Sequence, residues 1–187
     1  MRLLPLPDGG LRLRLDHDEA QLLDRLVSQL TALLQSHSST ALDPDPLFAS
    51  LEVGGSDSTP TDPALARLFP DAFEDEGEAS AFRRVTEQGL VNRKLHDALE
   101  VTSALGLGSE ELTEGTSSVE VDVTERTMPA WVRTLTSLRL AIAARIGLER
   151  ESDHARLLAE DETRGTVMVY DWLAAILDSV LRMHESS

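Results

Sequence analysis

A unit that occurs twice, 108 residues apart, constrains this chain's fold more than any other feature: a short alternating strand runs directly into an amphipathic helix. Leu11, Leu13 and Leu15 alternate with Arg12 and Arg14, as Val119, Val121 and Val123 alternate with Glu120 and Asp122. That is the period-two pattern of a strand with one buried face. In the helix after the first run Leu23, Val27, Leu30 and Leu34 share a side, and at the same offset stand Trp131, Leu135, Leu138 and Ile142. Two strand–helix units in one register predict one core. Strands 11–15 and 119–123 are expected to pair with each other, because an isolated strand would leave its backbone groups unsatisfied. The fold class that follows is mainly α, a single-domain helical bundle over residues 1–187 with a small two-stranded β element.

The punctuation between the units fits this reading. The Asp16-His17-Asp18-Glu19 cluster can cap the first helix and favour the positive end of its dipole. Ser, Pro, Asp and Gly dominate from Ser36 to Thr61, a composition that buries too little to offset its ordering entropy, so disorder is expected around residues 52–60. A short helix begins at Asp62-Pro63 and stops at Pro70. The next helix runs to about Leu105; Phe82 and Val85 lie opposite Val91, Leu95 and Ala98, which predicts a change of packing face, with a kink, near Gly89. The second unit's helix ends at Gly147, and the charged stretch 149–163 reads as a solvated helix or loop. The last helix, about 166–184, is apolar over most of its circumference. It is either central to the core or part of a homodimer interface.

Charge narrows the partners. Thirty-three acidic residues against 17 basic ones give a formal net charge of -16, which repels phosphate backbones and anionic membranes over the molecule as a whole and favours a basic protein partner. The chain contains no cysteine, so disulfides, thiolate metal sites and thiol redox switching are excluded. No apolar run approaches the roughly 18 residues needed to span a bilayer, and the opening Met1 to Asp8 is too short for a secretory signal. A cytoplasmic protein without membrane attachment is the expectation.

No catalytic, metal or cofactor signature stands out. His96 and Glu100 share a helix face but lack further ligands, Gly106-Leu107-Gly108 lacks the third glycine of a dinucleotide turn, and no serine sits in a nucleophile elbow. No catalytic residue, metal ligand or cofactor is therefore assigned. Arg139 is unusual: it falls on the apolar face of its helix between Val132 and Leu135, where its guanidinium must snorkel out or meet a buried carboxylate, with Asp171 and Asp178 as candidates. Arg83, Arg84, Arg93 and Lys94 form the one basic concentration. They would carry any nucleic-acid contact, but Glu87 and Asp97 interrupt them and no aromatics interleave, so direct nucleic-acid binding is weakly supported.

Asp62-Pro63-Ala64-Leu65-Ala66-Arg67-Leu68-Phe69-Pro70, then Phe82-Arg83-Arg84-Val85, then Trp131 with Leu138-Arg139-Leu140, then Tyr170-Asp171-Trp172-Leu173, stand in an ordered series along the chain. In these motifs and their order the sequence resembles an actinobacterial family, a domain of unknown function that includes proteins described as oxidative-stress transcription regulators. The resemblance implies a small, mainly helical, non-enzymatic regulator or adaptor that works through a protein partner such as a sigma factor, with a direct DNA-binding regulator as the alternative. It marks Trp131, Arg139, Tyr170, Asp171 and Trp172 as partner-binding or structural positions. The cysteine pair described as that group's sensor has no counterpart here, so a thiol–disulfide sensor cannot operate in this chain.

Overall fold

The computed structural model describes residues 1–6, 10–37, 58–107 and 118–185, with side chains to residue 182. The elements in chain order are β1 (Arg2–Pro5), β2 (Leu11–Asp16), α1 (His17–His37), α2 (Pro63–Leu68), α3 (Glu76–Leu105), β3 (Ser118–Val123), α4 (Met128–Ile146), α5 (Glu151–Ala159) and α6 (Asp161–Glu185). The fold is mainly α with a small antiparallel sheet.

Strands β2 and β3 pair as expected, Leu11 opposite Val123, Leu13 opposite Val121 and Leu15 opposite Val119. The 108-residue repeat makes Leu13 and Val121 equivalent, and it is these two that face each other. Leu11 meets the equivalent of Leu15. This is the register that a local two-fold exchange of the strands requires, and it sends both apolar faces to one side. On the other face, Arg12 donates two hydrogen bonds to Asp122, at 2.6 and 2.7 Å. The pairing holds the Asp122 carboxyl below its ordinary range.

The expectation of two strands is corrected to three: β1 pairs antiparallel with β2, from Arg2 opposite Arg14 to Pro5 opposite Leu11. Its apolar run is short and ends in proline, so it lacks an alternating signature. Proline is tolerated there because β1 is an edge. The consequence is that β2 is central, which accounts for Leu13 and Leu15 being fully buried.

Local chemistry sets the helix ends. Asp16 accepts from the Glu19 backbone N–H while Glu19 accepts from that of Asp16, a reciprocal cap that opens α1. Asp62 accepts from the backbone of Ala64 and Leu65 to open α2, and its other oxygen takes a 2.6 Å bond from Arg145, tying α2 to the end of α4. Helices α3 and α4 end in left-handed glycines, Gly106 and Gly147, at φ of 65° and 68°. The charged stretch resolves into α5, and α6 begins at Asp161, earlier than the apolar pattern indicates. There Thr163 and Arg164 donate side-chain bonds to the last carbonyls of α5.

Helix α3 departs from expectation in an instructive way. Its inward stripe does not change face near Gly89; it runs through Ala79, Arg83, Glu87, Val91, Leu95 and Ala98, while Phe82 and Val85 point outward. Two charged residues hold core-facing places because each is met. Arg83 pairs with Asp71 and approaches Glu87, and Glu87 pairs with His37 from α1. Thr59 accepts a bond from Arg83 and donates to Asp71, so Thr59, in the segment expected to be disordered, is tied down. Residues 52–57 lie outside the described ones.

Helix α4 is the hub. It touches α1, α2, α3 and α6, and its Trp131 and Leu135 are fully buried with Leu23 and Val27 of α1 and Leu173 and Ile176 of α6. Burial of each such aliphatic side chain is worth about 1.5–3 kcal/mol. Helices α3 and α4 are also joined by Arg133, which donates to both oxygens of the buried Asp97 at 2.7 and 2.8 Å. Helix α6 buries Leu173, Ile176, Leu177 and Val180 in this chain's own core, which is the core reading of its apolar surface. Met168 and Leu181 face outward. Among the described residues, no helix is long and apolar enough to cross a membrane.

Candidate functional site

Arg139 identifies the place to look, although not for the reason its position suggests. Neither expected carboxylate reaches it: Asp171 accepts from His154 at 2.9 Å, and Asp178 pairs with Arg182 at 2.8 Å. The geometry of α6 explains this correction. Tyr170, one position before Asp171, is the residue that faces α4, so the guanidinium carbon of Arg139 lies 4.4 Å from the centroid of the Tyr170 ring. Asp171, a further 100° round the helix, turns instead toward α5. Such a cation–π contact is worth about 0.5–2 kcal/mol. The ring offers the guanidinium no oxygen acceptor. The Nε–H of Arg139 is buried without a hydrogen-bond partner, and no ion pair among the described residues includes this side chain. An unmet buried donor of this kind costs about 1–3 kcal/mol.

Arg139 lines a cleft of roughly 650 Å³. Arg67, on the exposed side of α2, Arg150, just before α5, and His154, on α5, contribute further basic groups, against Glu149 and Glu151. The apolar wall is Leu140, Ala143 and Leu148, with Ala155 across from it. In a chain of net charge -16 this is a local reversal of sign. Sequence reading found Arg139 but missed Arg67, Arg150 and His154, which come from separate elements. The one signal that could have found Arg150 and His154 was a basic residue at each end of the 150–154 stretch, with Glu151 and Asp153 between them.

The remaining marked residues separate into core and surface. Trp131 is fully buried and structural, Trp172 is half-buried against the core, Tyr170 is half-buried under Arg139, and Asp171 is exposed. The four basic residues of α3 do not form one basic face. Arg83 is buried in its ion pairs, which withdraws it from the surface set. Lys94 is half-buried, donates to Ser137 at 3.1 Å and lies 5.9 Å from the Phe69 ring centroid; burial pushes its ammonium below the ordinary value. Arg84 and Arg93 are exposed.

A second surface feature follows from the outward turn of α3. Phe73 and Phe82 meet edge to face, with centroids 5.5 Å apart, and Val85, three residues on from Phe82, extends them into an exposed apolar ridge, while Leu90 is exposed further round the helix. Val85 is 74% exposed. Among the described residues, no group of three or more His, Cys, Asp or Glu side chains could hold a metal ion.

Fold and sites together define a mainly helical protein with a three-stranded cap, a cationic cleft at the α4–α5–α6 junction and an apolar ridge on α3. A family model for a domain of unknown function, DUF2017, matches residues 1–183, and the chain belongs to that family. Over 165 residues it is 28% identical to a Mycobacterium leprae protein that carries the provisional name oxidative stress regulator AosR; the match covers 84% of this chain and 75% of that protein. No solved structure matches it.

Proposed function

We propose that this protein is a non-enzymatic regulator in stress-linked transcription control that acts by binding a protein partner such as a sigma factor. The observation that carries this reading is the likeness to the mycobacterial protein named as an oxidative stress regulator, along 84% of the chain. The physical support is the ridge of Phe73, Phe82 and Val85, large apolar side chains left on the surface of a strongly acidic molecule. Aromatic and aliphatic anchors of this kind supply affinity, and the charge of -16 favours a basic rim on the partner. With no cysteine, the chain does not carry the stress signal on its own thiols.

The test joins a binding measurement to a cellular one. The purified protein is mixed with each sigma factor of its own cell in turn and followed by analytical ultracentrifugation; one factor is expected to form a complex. Phe82→Asp and Val85→Asp, at exposed positions, should each weaken that complex by more than about tenfold while the circular dichroism spectrum is unchanged. A strain lacking the gene should show an altered transcript profile under peroxide. A peroxide response indistinguishable from that of the parent strain overturns the regulatory reading, and a regulator that binds no sigma factor overturns that choice of partner.

A further inference from the structure

We propose that the cleft around Arg139 is a binding site for a small organic carboxylate, with the guanidinium of Arg139 holding the anion and Leu140, Ala143 and Leu148 packing against its apolar body. This site stands on its own geometry and does not depend on the regulatory reading.

The first support is the state of Arg139. A half-buried arginine inside a fold is ordinarily neutralised by a carboxylate of the chain, and this chain has 33 acidic residues from which to supply one. The two nearest in sequence logic are engaged elsewhere, Asp171 with His154 and Asp178 with Arg182, and the Arg139 Nε–H has no acceptor. Contact with the Tyr170 ring restricts the guanidinium, which reduces the ordering cost of holding it for a ligand. Its flat array of N–H groups matches the two oxygens of a carboxylate.

The second support is the surroundings. A cleft of roughly 650 Å³ is the size of a small-molecule pocket. Arg67 and Arg150 add positive potential at its mouth, where the molecule as a whole is negative. Glu149 and Glu151 stand beside them and disfavour a multiply charged anion such as a nucleotide or an inorganic phosphate. The apolar wall would be left unfilled by a bare inorganic ion. One negative charge on an apolar body is the chemistry that meets all of these groups.

The experiment uses the full chain labelled with 15N, at constant ionic strength, titrated with hexanoate, benzoate and 4-phenylbutyrate, with benzamide as the uncharged counterpart and inorganic phosphate as the bare anion. The Arg139 Nε–Hε resonance reports the site directly. At least one of the three carboxylates should shift it saturably at millimolar concentration or below, whereas benzamide and phosphate should not. Arg139→Gln should weaken binding by about tenfold or more. Because that substitution alters a half-buried position, Arg67→Gln and Arg150→Gln at the exposed mouth serve as the second arm and should each weaken binding severalfold, while Arg156→Gln, outside the cleft, should leave it unchanged. Absence of a saturable shift with all three carboxylates overturns the proposal. So does phosphate binding more tightly than any carboxylate, or equal affinity in the Arg139, Arg67 and Arg150 variants.

Discussion

Replacing Arg139 by methionine separates two accounts of that residue by the size of its effect on stability. If the guanidinium were half of a buried ion pair, removing it would strand a carboxylate and cost roughly 3–5 kcal/mol. The structure gives a different balance. The substitution forfeits the contact with the Tyr170 ring, about 0.5–2 kcal/mol, and relieves an unmet buried N–H, about 1–3 kcal/mol. Methionine keeps most of the stem, so packing changes by less than about 1.5 kcal/mol. The terms nearly cancel: before packing, Arg139→Met is expected to lie between a loss of about 1 kcal/mol and a gain of about 2.5 kcal/mol, and packing leaves any loss below about 3 kcal/mol. Urea unfolding followed by far-ultraviolet circular dichroism and tryptophan fluorescence measures it, with an unchanged m value as the check that the transition is the same. A loss of more than about 3 kcal/mol would show that Arg139 is held by an acidic partner, and would remove the ground for a ligand site there. A neutral or stabilising result is what a residue kept for binding rather than for folding should give.

The other ion pairs and the core predict different outcomes. Arg133→Met should cost about 2–4 kcal/mol in the same assay, less than a fully buried pair because Arg133 is half exposed, and should couple to Asp97→Asn by at least 1 kcal/mol or so in a double-mutant cycle; a coupling within error of zero refutes the α3–α4 staple. Ile176→Asp should unfold the protein rather than change its mass in light scattering, since that side chain is fully buried within one chain, whereas Leu181→Asp should leave the fold intact; a folded Ile176→Asp protein of lower mass would instead make α6 a dimer interface. The pairing that lowers the Asp122 carboxyl contributes stability above the unfolded carboxylate value, and that contribution is lost as the pH falls through the lower folded value. Wild type and Arg12→Gln should therefore differ in urea midpoint at neutral pH and converge as the pH falls through the lowered Asp122 value; a gap that does not narrow in acid would assign Arg12 a role other than charge pairing.

Much of the scaffold is legible in the chain because its signals are local or repeated. The alternation at 11–15 and 119–123 fixes which side chains face inward and predicts that the two strands pair; the register of Leu13 against Val121 is read only from the structure. Caps and stops at Asp62, Pro63 and Gly147 are single-residue chemistry and stand where the structure uses them. Strand β1 was missed because Leu3-Leu4-Pro5 has no period and becomes a strand only through the edge that β2 offers. Arg83 and Glu87 were misplaced on the surface because a helical wheel sends charge outward unless a partner is known, and their partners, His37 and Asp71, come from segments 46 residues before and 12 residues before Arg83.

The cleft lies at the limit of what one sequence can disclose. An arginine on an apolar helix face is visible in the chain, but whether it is a structural charge or a binding group depends on what stands opposite, and that is fixed by a rotation of one residue on another helix. With Tyr170 rather than Asp171 turned toward α4, the guanidinium gains a stacking surface and no counter-charge. Asp171 is then free to accept from His154, which binds α5 to α6 and closes one side of the same cleft. The placement that denies Arg139 its intramolecular partner is therefore also the one that builds a wall beside it. Among the described residues the buried charges Arg83, Glu87 and Asp97 are all paired, whereas the half-buried Arg139 stands unpaired at a cleft where basic side chains gather. Coincidence of an unmet charge with a pocket of matching sign and size is the pattern expected when stability at a site has been given up for recognition.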